Sequence, residues 1–412
     1  MRERYESWTY YVVGFALAIL GIFFLYLQEK FSNFLFALGG VFLLIQTVLS
    51  TIHLLKSKEK IILFRLLFRL VIGLLLVTSP WLSTALFANL IAIYQMMVGI
   101  FLLIHSWIAF SNRLSGRWVS LVDGSLHILF GISVLGNEET FLPSLYSLVG
   151  LYLIFLGLSS FRDGLEFDWG KQMTKFRRKR INLPIIVTAL VPMFALDKVN
   201  QYLNPDTSQS FFLGDKERPV DLEIWVHTAR KGFERMGHVD FALDGKIYSY
   251  GNHDVESHRL FEAIGDGILM TMPVENYKQS LMADSWRAVF GYGLVLSAEE
   301  KGAVQARLDK ILSDARDFPL KTEKQKNSYL GGMIKKYGAQ AYKFQTGRYK
   351  TYFVMTTNCV QLVDDVVAGT GMDILDNHGI LTPGAYQTYL EKEFRNPNSR
   401  VVSQMVIGKQ EN

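Results

Sequence analysis

The chain has 412 residues, 50% of them hydrophobic and 20% charged, with 43 Lys/Arg against 38 Asp/Glu and a single cysteine. That hydrophobic content excludes a disordered chain, and one cysteine excludes an internal disulfide framework. Charge is unevenly placed: 18 basic against 11 acidic residues up to Gln201, then 25 against 27, so the pI near 9.0 belongs to the first half and gives no support to nucleic-acid binding.

The first half reads as membrane. Uncharged runs cover Ser7 to Gln28, Phe31 to Leu55, Leu70 to Asn112 and Thr140 to Phe161, and about 20 apolar residues suffice to cross the hydrocarbon core as a helix. The third run holds two spans with a corner at Ser79-Pro80. Trp118 to Leu135, which carries Asp123 and His127, supplies a fifth, and Ile181 to Leu196, with Pro184 and Pro192, a short seventh. Basic residues cluster in alternate connections: Arg2 and Arg4, then Lys56, Lys58 and Lys60, then Arg113 and Arg117, then Lys171 to Arg180. By the positive-inside rule these face the cytoplasm, and seven spans put the rest of the chain outside it. The first apolar run is too long for a cleaved leader and is expected to act as an anchor.

The spans also repeat. Gly40-Val-Phe-Leu-Leu-Ile45 recurs as Gly99-Ile-Phe-Leu-Leu-Ile104 and Gly150-Leu-Tyr-Leu-Ile-Phe155, and Gly21, Gly73 and Gly131 open similar motifs in the preceding spans. This describes three copies of a helical hairpin, with glycines placed where helices approach closely in lipid. The pattern, from about Tyr10 to Phe161, resembles the HdeD-like family of small bacterial membrane proteins, which implies architecture but no reaction. Inside the spans, Arg65 and Arg69 read as side chains snorkelling to the interface. Asp123 and His127, at i and i+4, share a helix face and read as a packing pair, with a proton relay in a transporter as the less favoured alternative.

The expected organisation is a six-span domain over 1–161, a basic cytoplasmic loop over 162–182, a seventh span over 183–197, a linker over 198–219 and an extracytoplasmic domain over 220–412. In that last part, Asp221 to Thr228 alternates as a strand, and His238 to Leu243 and Lys246 to Tyr250 flank Asp244-Gly245, a strong hairpin signal. Ile268 to Pro273 and Tyr292 to Leu296 add strands. Ser297-Ala-Glu-Glu300 is a capping box opening a helix, and another helix starts near Asn358. Strands and helices in this order make the class α+β.

Cys359 stands at that second helix start. A thiol in the first turn feels the positive end of the macrodipole, and the free backbone N–H groups there can hold an oxyanion. A cysteine nucleophile needs a base, and His238, after Gly237 at the head of a strand, is the best placed.

The run Gly237-His238-Val-Asp-Phe-Ala-Leu-Asp-Gly-Lys-Ile-Tyr-Ser-Tyr-Gly251, followed much later by Thr357-Asn358-Cys359, resembles the circularly permuted NlpC-type papain-fold hydrolases, the branch of the lecithin-retinol acyltransferase relatives. The resemblance covers about Asp221 to Val367. It implies a papain-like domain in which the histidine activates the cysteine, a polar group on the next strand orients the imidazole, and an acyl-enzyme forms. Here that third group falls near Ser249 or Tyr250, neither of them the usual His, Glu or Gln, with His253 a further option. A strict two-residue turn places His238 opposite Gly251 and on the face of Ser249; a three-residue loop places it opposite Tyr250.

The sequence therefore predicts an all-α transmembrane bundle of seven helices followed by an α+β papain-like thiol hydrolase. Cys359 is the expected nucleophile, His238 the base and then acid, Tyr250 or His253 a candidate orienting group, and Asn358 a helper at the oxyanion. No cofactor is expected, and His227, His238, His253 and His258 lack the spacing of a metal site. The expected partners are the lipid bilayer and a peptidoglycan peptide or acyl-lipid substrate, with no nucleic acid. The alternative is a non-enzymatic membrane scaffold or stress-response protein whose outer domain binds the cell wall.

Overall fold

The computed structural model describes residues 2–54, 60–169, 209–214, 219–229, 237–283, 287–370, 382–396 and 399–408. The expected seventh span and the Lys171 to Arg180 cluster lie outside the described residues. Two compact units emerge, Met1–Leu103 with Trp118–Leu165, and Ile104–Arg117 with Glu166–Asn412.

The first unit is helical and is made of α1 (Arg2–Leu54), α2 (Lys60–Thr78), the larger parts of α3 (Pro80–Ser111) and α5 (Glu138–Trp169), and nearly all of α4 (Arg117–Gly136). Among the described residues four stretches are long and apolar enough to cross a membrane: Trp8–Thr51, Thr84–Ser111, Arg117–Gly136 and Thr140–Arg162; Leu66–Thr78 is shorter. At 1.5 Å per residue an unbroken Trp8–Thr51 would run about 66 Å, twice the hydrocarbon thickness. It is broken at Gln28 (φ 44°, ψ −115°), so the first two predicted spans are two rods of α1. Phe24 and Phe31 meet edge-on at 5.0 Å across the break. Helix α5 continues to Trp169, into the stretch expected to open the basic loop, and keeps Pro143 in its first turns.

The glycines meet between hairpins rather than within them. A Cβ on Gly40 would lie 2.8 Å from the Gly73 carbonyl oxygen, one on Gly99 2.8 Å from that of Gly124, and one on Gly21 2.5 Å from that of Gly150. The second rod of α1 thus abuts α2, α3 abuts α4, and the first rod of α1 abuts α5, closing three hairpins into a ring. Ser160 adds a hydrogen bond to the Tyr10 carbonyl at 2.9 Å on the closing seam. Large apolar side chains such as Phe15, Phe42, Leu90 and Leu129 point outward and are about 60% exposed, as suits helices solvated by lipid. Asp123 and His127 pair at 3.7 Å, and Gln95 of α3 joins the imidazole.

Among the described residues the second unit is built on a nine-stranded sheet that includes β1 (Gln209–Gly214), β8 (Ala315–Asp317), β9 (Gln340–Phe344) and β11 (Val401–Gly408), ordered β1-β11-β7-β2-β3-β4-β6-β9-β8 with its neighbours all antiparallel, beside a ribbon of β10 (Thr351–Phe353) and β5 (Ile264–Asp266). The strands nearest the candidate site are β2 (Leu222–Ala229), β3 (His238–Leu243), β4 (Lys246–Gly251), β6 (Ile268–Pro273) and β7 (Arg287–Leu294). Its helices are α6 (Val274–Ala283), α7 (Ala298–Leu312), α8 (Glu323–Lys326), α9 (Tyr329–Tyr337), α10 (Cys359–Val367) and α11 (Pro383–Arg395). Asp244 and Gly245 take φ of 49° and 74°, the mirror-image turn that the strand twist demands, and fix the register Leu243↔Lys246. Ser297 and Glu300 form the reciprocal cap that opens α7.

Alternation gives the sheet two apolar faces. Leu222, Ile224, Val226, Val239 and Phe241 pack under α10 and α11 with Cys359, Val363 and Leu390, whereas Trp225, Ala242, Ile247 and Met270 pack under α6 with Tyr277 and Leu281. One correction concerns the expected linker over 198–219. Gln209–Gly214 within it is β1, paired in full with β11 (Val401–Gly408). The apolar Phe211-Phe212-Leu213 core of this stretch forms an edge strand, despite the polar residues around it.

Candidate functional site

Gly237, at φ 85°, turns the chain into β3, a backbone conformation that glycine adopts without strain. His238 opens the strand, and two residues on, Asp240 points to the same side. The hairpin register sets His238 level with Gly251, so Ser249 also stands on this side. Nε2 of His238 lies 2.8 Å from Asp240 Oδ1 and 3.2 Å from Ser249 Oγ. The same ring nitrogen thus faces both the carboxylate and the hydroxyl.

Asp240 is fully buried and serves two imidazoles. Its Oδ2 lies 2.8 Å from His227 Nε2 on β2 and accepts the hydroxyl of Tyr277 from α6. Burial by itself would raise the Asp240 carboxyl, but His238, then the hydrogen bonds from His227 and His238, hold it well below the ordinary carboxylate value. Burial would likewise lower His238, yet the charge of Asp240, followed by Cys359, lifts it well above the ordinary imidazole value. Each of the pair therefore favours the charged form of the other.

Asn358 caps α10. Its Oδ1 accepts from the Gln361 backbone N–H at 3.1 Å and its Nδ2 donates to the Val354 carbonyl at 2.9 Å. The first residue of the helix is Cys359, 2% exposed. Helix α10 packs on β3 and β4, and where β3 begins, the His238 ring and the Cys359 thiol lie near enough for the sulfur's charge to act on the imidazole. Tyr352 of β10 (Thr351–Phe353) lies near the same sulfur, and burial, then the charge of Cys359, lifts its hydroxyl well above the ordinary phenol value.

The structure thus brings Cys359 and His238 together and adds Asp240, which the sequence reading passed over. The missed signal was His-x-Asp on one alternating strand, while the search for a third polar group looked across to the next strand. Tyr250 projects to the opposite face from Ser249, donates to the Tyr349 carbonyl at 3.0 Å and packs 5.5 Å from the Tyr352 ring. His253 stands with its ring 6.4 Å from that of His238. The side-chain N–H of Asn358 is committed to the loop before the helix.

A cavity of about 300 Å³ opens beside His238, lined by His227, His238, Ser249, His253, Tyr329 and Tyr352 among others. Its rim includes the loop from Asn252 to Ala263, where Arg259 and Ile264 pair as a bridge. At its tip Leu260, Phe261 and Glu262 take φ of 47°, 55° and 70°. A left-handed conformation costs a non-glycine residue roughly 1–2 kcal/mol, so three in succession must be held by their surroundings. Among the described residues, no group of three or more His, Cys, Asp or Glu side chains is placed to hold a metal ion.

Residues 67–136 match a family described as a short repeat of unknown function, DUF308. The match covers α3, α4 and most of α2, agrees with the hairpin repeats, and is consistent with the HdeD-like resemblance of the helical half. No curated protein and no solved structure matches the chain.

Proposed function

We propose that the α+β region is a membrane-tethered thiol hydrolase or acyltransferase with a permuted papain-like arrangement, using Cys359, His238 and Asp240. The observation that carries this reading is a helix-start thiol on a helix packed against the strand of an imidazole that a buried carboxylate holds at 2.8 Å. Nε2 faces Asp240 and Ser249, so Nδ1 is the nitrogen available to the sulfur. The thiolate attacks an ester or amide carbonyl carbon, and the first-turn N–H groups, with the Tyr352 hydroxyl, hold the oxyanion. As the C–O or C–N bond breaks, His238 gives its proton to the leaving alcohol or amine. Water, or an acceptor alcohol or amine, then attacks the thioester carbon as His238 takes its proton, and the C–S bond breaks to release the thiolate.

Cell-wall peptides or lipid-linked acyl groups fit this chemistry in a bacterial membrane protein with its N-terminus in the cytoplasm and the α+β region outside. A topology reporter after Gly408 is expected to read extracytoplasmic, and a cytoplasmic reading there removes the wall substrates. The direct test of the chemistry is labelling by an activity-directed thiol probe at neutral pH. Rapid modification of Cys359 that is lost in His238→Ala supports the reading; slow modification in both overturns it. A second reading, a non-enzymatic scaffold, draws on the 2% exposure of Cys359, which a merely packed thiol would also show. The same probe decides between them.

A further inference from the structure

In the α+β region, the large hydrophobic side chains exposed among the described residues are Leu260, Phe261, Met282 and Tyr329; Phe261 leads at 91%, with Leu260 next to it at 56%. A soluble loop tip places polar or small residues there, and an exposed Leu-Phe pair signals a surface that something covers. The pair is also held in place. Arg259 N–H donates to the Ile264 carbonyl at 2.8 Å, Ile264 N–H returns the bond at 3.2 Å, and Ala263 N–H donates to the Leu260 carbonyl at 3.1 Å. Asn252 Nδ2 donates to the Glu262 carbonyl at 2.5 Å and ties the tip to the cavity wall. A turn made of left-handed residues, clamped on both sides, aims two apolar side chains away from the protein.

We propose that this tip, Arg259 to Glu262, inserts Leu260 and Phe261 into the interfacial region of a lipid bilayer. The chain itself supplies the reason for choosing lipid: its apolar helices keep a membrane at hand, so a weak second contact acts at high effective concentration. Aromatic and aliphatic side chains at a rigid tip suit the headgroup boundary, with the aromatic ring favoured there. Charge at the tip nearly cancels, because Arg259 is followed by Glu262, whose carboxylate lies 3.7 Å from His258 Nδ1. The insertion is therefore apolar in origin and nearly independent of salt. The loop also supplies Asn252, Val255, His258 and Glu262 to the cavity, so insertion brings the cavity mouth to the lipid surface. The proposal does not depend on the acyl-transfer reading, since lipid contact can hold whether or not Cys359 reacts.

The test uses the full chain in nanodiscs, with Phe261→Cys carrying an environment-sensitive fluorophore in a Cys359→Ser background, and Lys310→Cys on α7 as reference. Nanodiscs made with lipid brominated near the headgroup are expected to quench the probe at 261 several-fold more than at 310, with a blue-shifted emission that persists in 1 M salt. Equal, weak quenching at both sites overturns the proposal. So does a blue shift without bromine quenching, which means that protein covers the tip, whether a second copy or another partner. Quenching abolished by salt overturns the apolar mode. Thiol-probe labelling of Cys359 in the chain without the reporter is read separately, so failure of the chemistry and failure of the insertion are distinguishable.

Discussion

The two units invert each other's chemistry. In the helical unit the outside is apolar and glycines abut glycines where helices meet; in the α+β unit the apolar residues are inside, and the Asp240 carboxylate sits fully buried at the candidate site. Lipid offers no hydrophobic drive for helices to associate, so backbone proximity supplies the contact. Water supplies that drive to the sheet, which can then spend some of its stability on enclosing Asp240, His227 and His238. Glycine and the buried charge are thus each structural in one solvent and costly in the other.

The largest effect that would break this contrast concerns chemistry. Cys359→Ala is expected to abolish covalent probe labelling and to lower turnover by about 10³-fold or more, leaving the helical unit intact by hydrogen exchange. Intact-protein mass spectrometry reads the labelling.

Next comes the buried charge. Asp240→Ala leaves two imidazoles facing a void and is expected to destabilise the α+β unit by about 3–5 kcal/mol, measured as lost exchange protection in β2 and β3. The pH dependence has a definite sign. The lifted His238 contributes stability that is complete below about 6.5 and lost as pH rises through its folded value. The depressed Asp240 contributes stability that is complete above about 3.9 and lost as pH falls through its folded value. Asp240→Asn, which keeps the shape, should move the alkaline limb of the thiol-labelling profile to lower pH.

Smaller still is the glycine seam. Gly21→Ala puts a methyl 2.5 Å from the Gly150 carbonyl oxygen and is expected to cost about 1–3 kcal/mol in detergent unfolding. Gly39→Ala, one residue from the Gly40 seam, meets nothing within 4 Å and should not destabilise. The smallest effect has the opposite sign: Gly302→Ala in α7 also meets open space and should stabilise that unit by about 0.5–1 kcal/mol.

What the sequence revealed follows from how local each determinant is. The Asp244-Gly245 turn, the Ser297 cap and the helix opening at Cys359 each need only a few neighbouring residues, and all three were legible. The Gly40, Gly99 and Gly150 motifs told that helices approach closely but not which ones, because partner choice depends on how the hairpins close. β1 escaped notice because its pairing strand, β11, comes from the far end of the chain. Asp240 was visible as a residue, yet its role required knowing that the carboxylate is enclosed by β2 and α6 as well as by its own strand. The exposed Leu260-Phe261 tip had no sequence signature, since its left-handed turn contains no glycine.

Closure of the ring through Gly21 and Gly150 has a consequence for how the protein is made. The first rod leaves the ribosome early, yet its glycine-bearing flank has no mate until α5 is synthesised. During that interval a chaperone or the insertion machinery must shelter the flank, or lipid must fill the groove and later be squeezed out. Nascent chains stopped before α5 should therefore be held or degraded, and release from the insertion site should come abruptly once the final helix of the ring arrives.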